Sequence, residues 1–314
     1  MELRNIINSR LIFVSGKGGV GKTCVASALA KTSASFGKKT LVVEVDNFYP
    51  SLPSIFGKKI SYTPVEIEKN IYACNISWLQ ALEDWLTRTI KIRGVAHLIL
   101  SNKVVMVFLN ATPGAREIVI LSKIMELLDK YDQVIVDLPA SGHALGILRV
   151  PQTAIQLMRS GPIYDRAKQI LSVFSSPKTC VLLCALPEEM VVNETVEFFQ
   201  KIKDEVPQLR NIHVLLNRIS TPSFSEEEKE LFQRMETVAQ NTVCSELEKY
   251  IGIAEWDYVL EESSINSIQR LEQELQQPVL SLAKFGLLGG FSGGTPKVVE
   301  QMYSAFTRIL RTDT

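Results

Sequence analysis

Cysteine is scarce in this 314-residue chain. Its five examples (Cys24, Cys74, Cys180, Cys184 and Cys244) are an odd number and lie far apart. That dispersal argues against a disulfide framework and for reduced thiols. Long apolar runs are missing as well: no stretch nears the ~20 residues needed to cross a bilayer. Residues 1–14 hold only a short apolar run behind Arg10, without the apolar core and cleavage site of a secretory signal. A cytoplasmic location is the expectation. Net charge is absent too, with 34 Lys+Arg against 34 Asp+Glu. No overall field draws the chain to nucleic acid, and no such partner is expected. Repeats, low-complexity tracts and linker-like stretches do not occur. The chain is longer than the usual ~100–200 residues per domain, yet it reads as one α/β domain over residues 1–314. A small helical outgrowth is expected at about 76–110.

What is present is a rhythm of short apolar runs alternating with helical periods. Leu11–Ser15, Leu41–Asp46, Ile71–Asn75, Gln133–Asp137, Cys180–Ala185 and Ile212–Leu216 read as buried strands. Cys24–Phe36, Arg116–Asp129, Asn193–Val206 and Ser225–Gln240 read as helices between them. Continuous apolar strands alternating with helices predict a doubly wound, mostly parallel sheet covered on both faces. Ligands in such sheets bind beyond the carboxyl ends of the strands, where the chemical residues of this chain cluster.

Gly16-Lys17-Gly18-Gly19-Val20-Gly21-Lys22-Thr23 satisfies G-x-x-x-x-G-K-[ST], with a strand before it and a helix after it. Glycines let successive N–H groups converge on phosphate oxygens, and the helix N-terminus adds positive potential. The spacing assigns Lys22 to the β/γ-phosphates and the Thr23 hydroxyl to Mg²⁺, with Cys24 continuing the nucleotide-binding segment. Asp137 closes an apolar strand, as a carboxylate on the Mg²⁺ side should, directly or through water. A turn-capping role is the alternative.

Lys17, directly after the first glycine, gives the deviant form of this loop, which resembles that of the MinD, ParA, nitrogenase-iron-protein and ArsA ATPases. Val136-Asp137-Leu138-Pro139-Ala140-Ser141-Gly142-His143 is similar to the D-T-A-P-T-G-H segment of ArsA and of the guided-entry ATPases for tail-anchored proteins. Leu186-Pro187-Glu188-Glu189-Met190 with Asn193-Glu194-Thr195 resembles their P-E-E-M…E-T segment. The likeness runs from about Leu11 to Arg218 and is that of a bacterial ArsA-like branch.

The resemblance implies a P-loop NTPase fold and a Mg²⁺-dependent ATPase working as a nucleotide-gated dimer on a protein or membrane-associated client. The second subunit would be identical or a related ATPase. Lys17 would reach the partner's nucleotide, Asp46 would position the attacking water, Asn217 would read the adenine edge, and Gly142 with His143 would form a switch. Capping is the alternative for Asp46, and a turn for Asn217. The thiol cluster of ArsA and the C-x-x-C zinc clamp of the guided-entry ATPases are both missing, which disfavours arsenite transport and a zinc-held dimer. Trp78, Leu82, Trp85 and Leu86 fall at helical spacing and suggest core packing or a client groove. Rival readings are a positioning ATPase like MinD or ParA and a switch module with little turnover. The tail Val298–Arg311 bears on the first, since MinD-like chains end in a basic amphipathic membrane helix. Residues 286–294 read as a glycine-rich loop without chemistry.

ATP with Mg²⁺ is expected to stabilise the protein by about 2.7 kcal/mol at a hundredfold excess over Kd. Lys22→Ala should lose most of that gain in thermal melts. An unchanged shift would remove Lys22 from the site.

Overall fold

The computed structural model describes residues 2–46, 49–90, 114–221, 245–285 and 294–312, with scattered positions at 101–112 and 225–235. Its frame is an eight-stranded sheet in the order β3-β4-β2-β5-β1-β6-β7-β8. The strands are β1 (Leu11–Gly16), β2 (Thr40–Val45), β3 (Val65–Glu68), β4 (Ile71–Ile76), β5 (Gln133–Asp137), β6 (Thr179–Ala185), β7 (Ile212–Ile219) and β8 (Leu280–Ala283). All neighbours run parallel except the edge pair β3 and β4. Strand β1 lies in the middle, with Val14 beside Asp137 of β5 and Gly16 beside Cys184 of β6. The chain crosses over β1 between β5 and β6, which sets the switch point at the carboxyl end of β1.

Every residue of β1, β2, β5 and β6 is buried. Side chains alternate between faces along a strand, so unbroken burial requires helices on both sides. One group comprises α1 (Glu2–Asn8), α2 (Lys22–Ser35), α3 (Leu52–Phe56) and α10 (Gly294–Thr312), which pack together. The alanine-rich α2 buries Ala26, Ala28 and Ala30, small enough to admit both sheet and α10 at close range. The second group comprises α4 (Trp78–Ile90), α5 (Ala115–Leu128), α6 (Ser141–Leu157), α7 (Pro162–Phe174), α8 (Glu189–Glu205) and α9 (Ser245–Leu275). Here α4 packs on α5, α5 on α6 and α7, and α6 and α9 on α8.

The expected strands and the first three expected helices are found within a few residues of their sequence bounds. Helices α1, α3, α6 and α7 were not named from the sequence, nor were strands β3 and β8 and helix α9. Strands β3 and β8 are four residues each at the sheet edges, and α9 has only weak amphipathic order along its 31 residues. Most of the expected helix at 225–240, and residues 91–100 of the expected outgrowth, lie outside the described residues. The glycine-rich loop also lies there, apart from Gly294, which opens α10. The described part of the outgrowth, α4, tucks Leu82 and Leu86 into the core and half-buries Trp78 and Trp85.

The tail's apolar stripe faces inward: Val299, Met302, Phe306 and Leu310 are buried against the body. Lys31 of α2 adds ion pairs to Glu68 at 2.6 Å and Glu300 at 2.7 Å, joining α2, β3 and α10. The stripe is therefore occupied by protein and is not presented as a membrane helix. Phe306→Ala, which opens a cavity at a site 1% exposed, is expected to cost about 3–5 kcal/mol in denaturant melts. A cost below about 1 kcal/mol would separate α10 from the cooperative fold.

Candidate nucleotide and metal site

The site lies beyond the carboxyl ends of β1, β2 and β5. At Gly16 the backbone has φ +143°, and a β-carbon there would stand 2.1 Å from the Cys184 carbonyl oxygen. Any side chain would force β6 away. Gly21 has φ +95°, and a β-carbon would meet the Asn217 amide at 2.8 Å. These two positions fix where the loop leaves the strand and where it enters α2. The first N–H to bond back within α2 is that of Val25, to Gly21 O at 3.0 Å. The N–H groups of Lys22, Thr23 and Cys24 precede it and belong to the free helix terminus that attracts anions.

Lys22 arches back over the loop, its ammonium donating to Lys17 O at 2.9 Å and Gly16 O at 3.2 Å. Thr23 Oγ1 donates to Asp137 Oδ2 at 2.5 Å. Asp137 is 9% exposed, and its Oδ1 is buried without a hydrogen-bond donor. Burial pushes its carboxyl up to about 7; the Thr23 hydrogen bond and Lys22 oppose this, and Glu44 adds to it. A hydroxyl and a carboxylate side by side, one oxygen unsatisfied, are hard oxygen ligands suited to Mg²⁺. The donor set fits that ion.

Glu44 escaped the sequence reading. It stands opposite Asp137 in register and is buried, and its carboxylate accepts the N–H groups of Ser51 at 2.7 Å and Leu52 at 3.3 Å. The available signal was an acidic residue inside the apolar run Leu41–Val45. It anchors the segment after Asp46 to the site.

Asp46 itself is half-buried, with a left-handed backbone at φ +45°. A non-glycine residue held in that region is strained, and such strain concentrates at functional positions. Its Oδ1 accepts the Trp78 N–H at 3.4 Å, a long contact at the N-terminus of α4. Capping, the expected alternative, is thus present but weak, and the carboxylate has acceptor capacity to spare.

Asn217, fully buried, gives Nδ2 to Val20 O at 2.8 Å and takes the Arg218 N–H on Oδ1 at 3.0 Å. Its visible task is to brace the loop; an adenine contact would draw on the remaining amide proton. Cys24 is half-buried, and burial raises its thiol pKa. Gly142 and His143 are exposed in the first turn of α6, just beyond the Asp137 loop. Lys17 is the loop residue that turns away: its ammonium pairs with Glu194 of α8 at 3.3 Å. Cys180 and Cys184 are fully buried in β6, and burial pushes the first up to about 12 and also raises the second. They are core residues and form no thiol cluster. Among the described residues no group of three His, Cys, Asp or Glu side chains could hold a metal ion.

The strand order, the loop and the carboxylate beside it define a P-loop NTPase fold. Residues 9–162 match the family described as the anion-transporting ATPases. It is 28% identical over 207 residues to the ATPase BagA of Mycobacterium tuberculosis, covering 62% of this chain and 61% of that protein. It is 31% identical over 156 residues to the ATPase ASNA1 homolog 2 of Paramecium tetraurelia, covering 48% and 47%. A Chlorobaculum tepidum protein provisionally named an arsenical pump-driving ATPase is 25% identical over 215 residues, covering 65% and 50%. The chain thus spans less than two thirds of the length of these relatives. The family range takes in the loop, Asp46, Asp137, Gly142 and His143, and ends before Glu194 and Asn217.

The raised Asp137 pKa has a testable sign. The folded protein binds this proton more tightly than the unfolded chain, where aspartate titrates at about 3.9. Stability is therefore lost as pH rises from about 4 to about 7, by at most ~4 kcal/mol. Asp137→Asn should flatten that slope in melts without metal, and Mg²⁺ with nucleotide should flatten it in the native protein. Equal slopes in both proteins would contradict the assignment.

Proposed function

We propose that this chain hydrolyses ATP with Mg²⁺ and uses the cycle to open and close a two-subunit switch on a partner. The observation that carries the reading is the Thr23–Asp137 pair with its buried unsatisfied oxygen, set beside a complete phosphate loop. The loop N–H groups would cradle the phosphates and Lys22 would neutralise their β/γ oxygens. Thr23 and Asp137 would hold Mg²⁺, Asp137 directly or through water; the ion supplies charge neutralisation between the phosphates. Asp46 would orient the attacking water, and Asn217 would meet the adenine edge. Gly142 and His143 would respond to the γ-phosphate at the start of α6.

Lys17 is the residue that calls for a second subunit. Lys22 already fills the in-loop cation position, so a further lysine is available to stabilise charge on the facing nucleotide. The partner chain would be a second copy or a related ATPase. Both carboxylates of the site adjoin helices that wall an apolar groove of about 840 Å³. Asp46 contacts the start of α4, and α6 follows Asp137; Trp78, Leu82, Trp85, Val150 and Leu157 line the groove. A groove so placed suits an apolar segment of a protein or membrane-associated client. No helix among the described residues is long and apolar enough to cross a membrane, and a cytoplasmic site of action is part of the proposal. The docking of α10 into the body weighs against a MinD-like positioning role. The fully buried thiols of β6 weigh against arsenite as a ligand.

Asp46→Asn is expected to keep ATP binding and lose hydrolysis by on the order of 10²-fold or more. Lys17→Ala should also bind ATP yet turn it over slowly, and wild-type specific activity should rise with protein concentration. Wild-type rates for Asp46→Asn would move the water-positioning residue elsewhere. A fully active monomer in sedimentation would end the two-subunit reading.

A further inference from the structure

Lys17 is not free in this structure, and its restraint has a definite architecture. Glu194, on the second turn of α8, pairs through Oε2 with the Lys17 ammonium at 3.3 Å. Its other oxygen, Oε1, accepts the hydroxyl of Ser141, the first residue of α6. Ser141 is buried, whereas the Lys17 and Glu194 side chains are each about one-third exposed, at 33% and 36%. One carboxylate thus bridges the phosphate loop and the helix that follows the Asp137 loop. Ser15 adds a second tie between the same segments, donating from Oγ to Pro139 O at 3.2 Å.

We infer that Glu194 is a positioning residue for Lys17: it holds the ammonium within its own subunit and sets how readily Lys17 is delivered to a facing nucleotide. The delivery step rests on the two-subunit reading above; the restraint itself does not. A half-exposed ion pair is weak and screened by solvent, which suits a restraint that must break in every cycle. A cluster of phosphate oxygens offers Lys17 more negative charge than one carboxylate, so a facing triphosphate can outcompete Glu194. On release, the Glu194 carboxylate keeps its bond to Ser141 and has only that partner left of the two. The start of α6, whose later turns wall the apolar groove, then reports whether Lys17 is engaged.

Glu194→Gln is the informative variant, because the amide oxygen still accepts from Ser141 while the charge is lost. In nucleotide-free full-length protein, lysine acylation by an N-hydroxysuccinimide ester, read by peptide mass spectrometry, should label Lys17 about two- to fivefold faster than in wild type. Lys201, paired with Glu197 on the same helix at 2.6 Å, is the internal reference and should not change. Glu194→Asp withdraws the carboxylate by one methylene and is the second variant, with faster Lys17 labelling also expected. In ATP turnover, Glu194→Gln should lower the protein concentration giving half-maximal specific activity by a similar factor. In a Lys17→Ala background it should change nothing, whereas a merely structural role would act in both. Identical Lys17 labelling, or a turnover shift that survives Lys17→Ala, would overturn the role of Glu194. Faster labelling with turnover independent of protein concentration would overturn the two-subunit reading, and the delivery with it.

Discussion

At the carboxyl end of β1, residue 16 and the Cys184 carbonyl compete for one volume, since a β-carbon there would sit 2.1 Å from the oxygen. β6 can pair with β1 through Gly16 only because that side chain is absent. The pairing centres β1 in the sheet, and centring it puts the loop at the point where the chain crosses from β5 to β6. Asn217, from β7, then reaches under the loop to Val20 because Gly21 is also bare. Three adjacent parallel strands therefore hold one loop, through close approaches at Gly16 and Gly21 that tolerate almost no change of side chain.

A rigid loop is needed because its neighbours are electrostatically incomplete. Asp137 and Glu44 face each other from adjacent strands, both buried, and only Glu44 has its carboxylate supplied with N–H donors. An unsatisfied carboxylate oxygen in such a setting is costly unless a proton or a cation answers it. The same economy governs Lys17, whose charge is met by Glu194 within the chain. On the proposed reading, a nucleotide and its metal would replace these contacts, and α4, whose first N–H meets Asp46, and α6, just past Asp137, would read the binding.

Much of this was legible in the sequence because it depends on local chemistry. The loop is contiguous, its glycines and lysines are required by backbone and phosphate geometry, and it sits between a strand and a helix that short-range patterns identify. Asp46 and Asp137 were visible as carboxylates closing apolar runs. Where local signals fail, the reading failed with them. Strands β3 and β8 are too short for a period-two pattern, and a helix as evenly mixed as α9 presents no clear stripe. The stripe of α10 was plain, but its destination was not, because an amphipathic face has the same sequence whether it meets lipid or protein.

The sequence by itself determined the doubly wound class, the phosphate loop and the identity of its two lysines, since each follows from neighbours within about ten residues. Only the tertiary structure decided the rest. It turned Lys17 toward Glu194, 177 positions along the chain, and made Asn217 a brace beneath Val20. It gave Asp137 a single donor and an unsatisfied oxygen, and buried the tail against α2. These outcomes depend on which segments meet and on how much water they exclude. Such distances are fixed by the packing of the whole sheet, and no local pattern carries them.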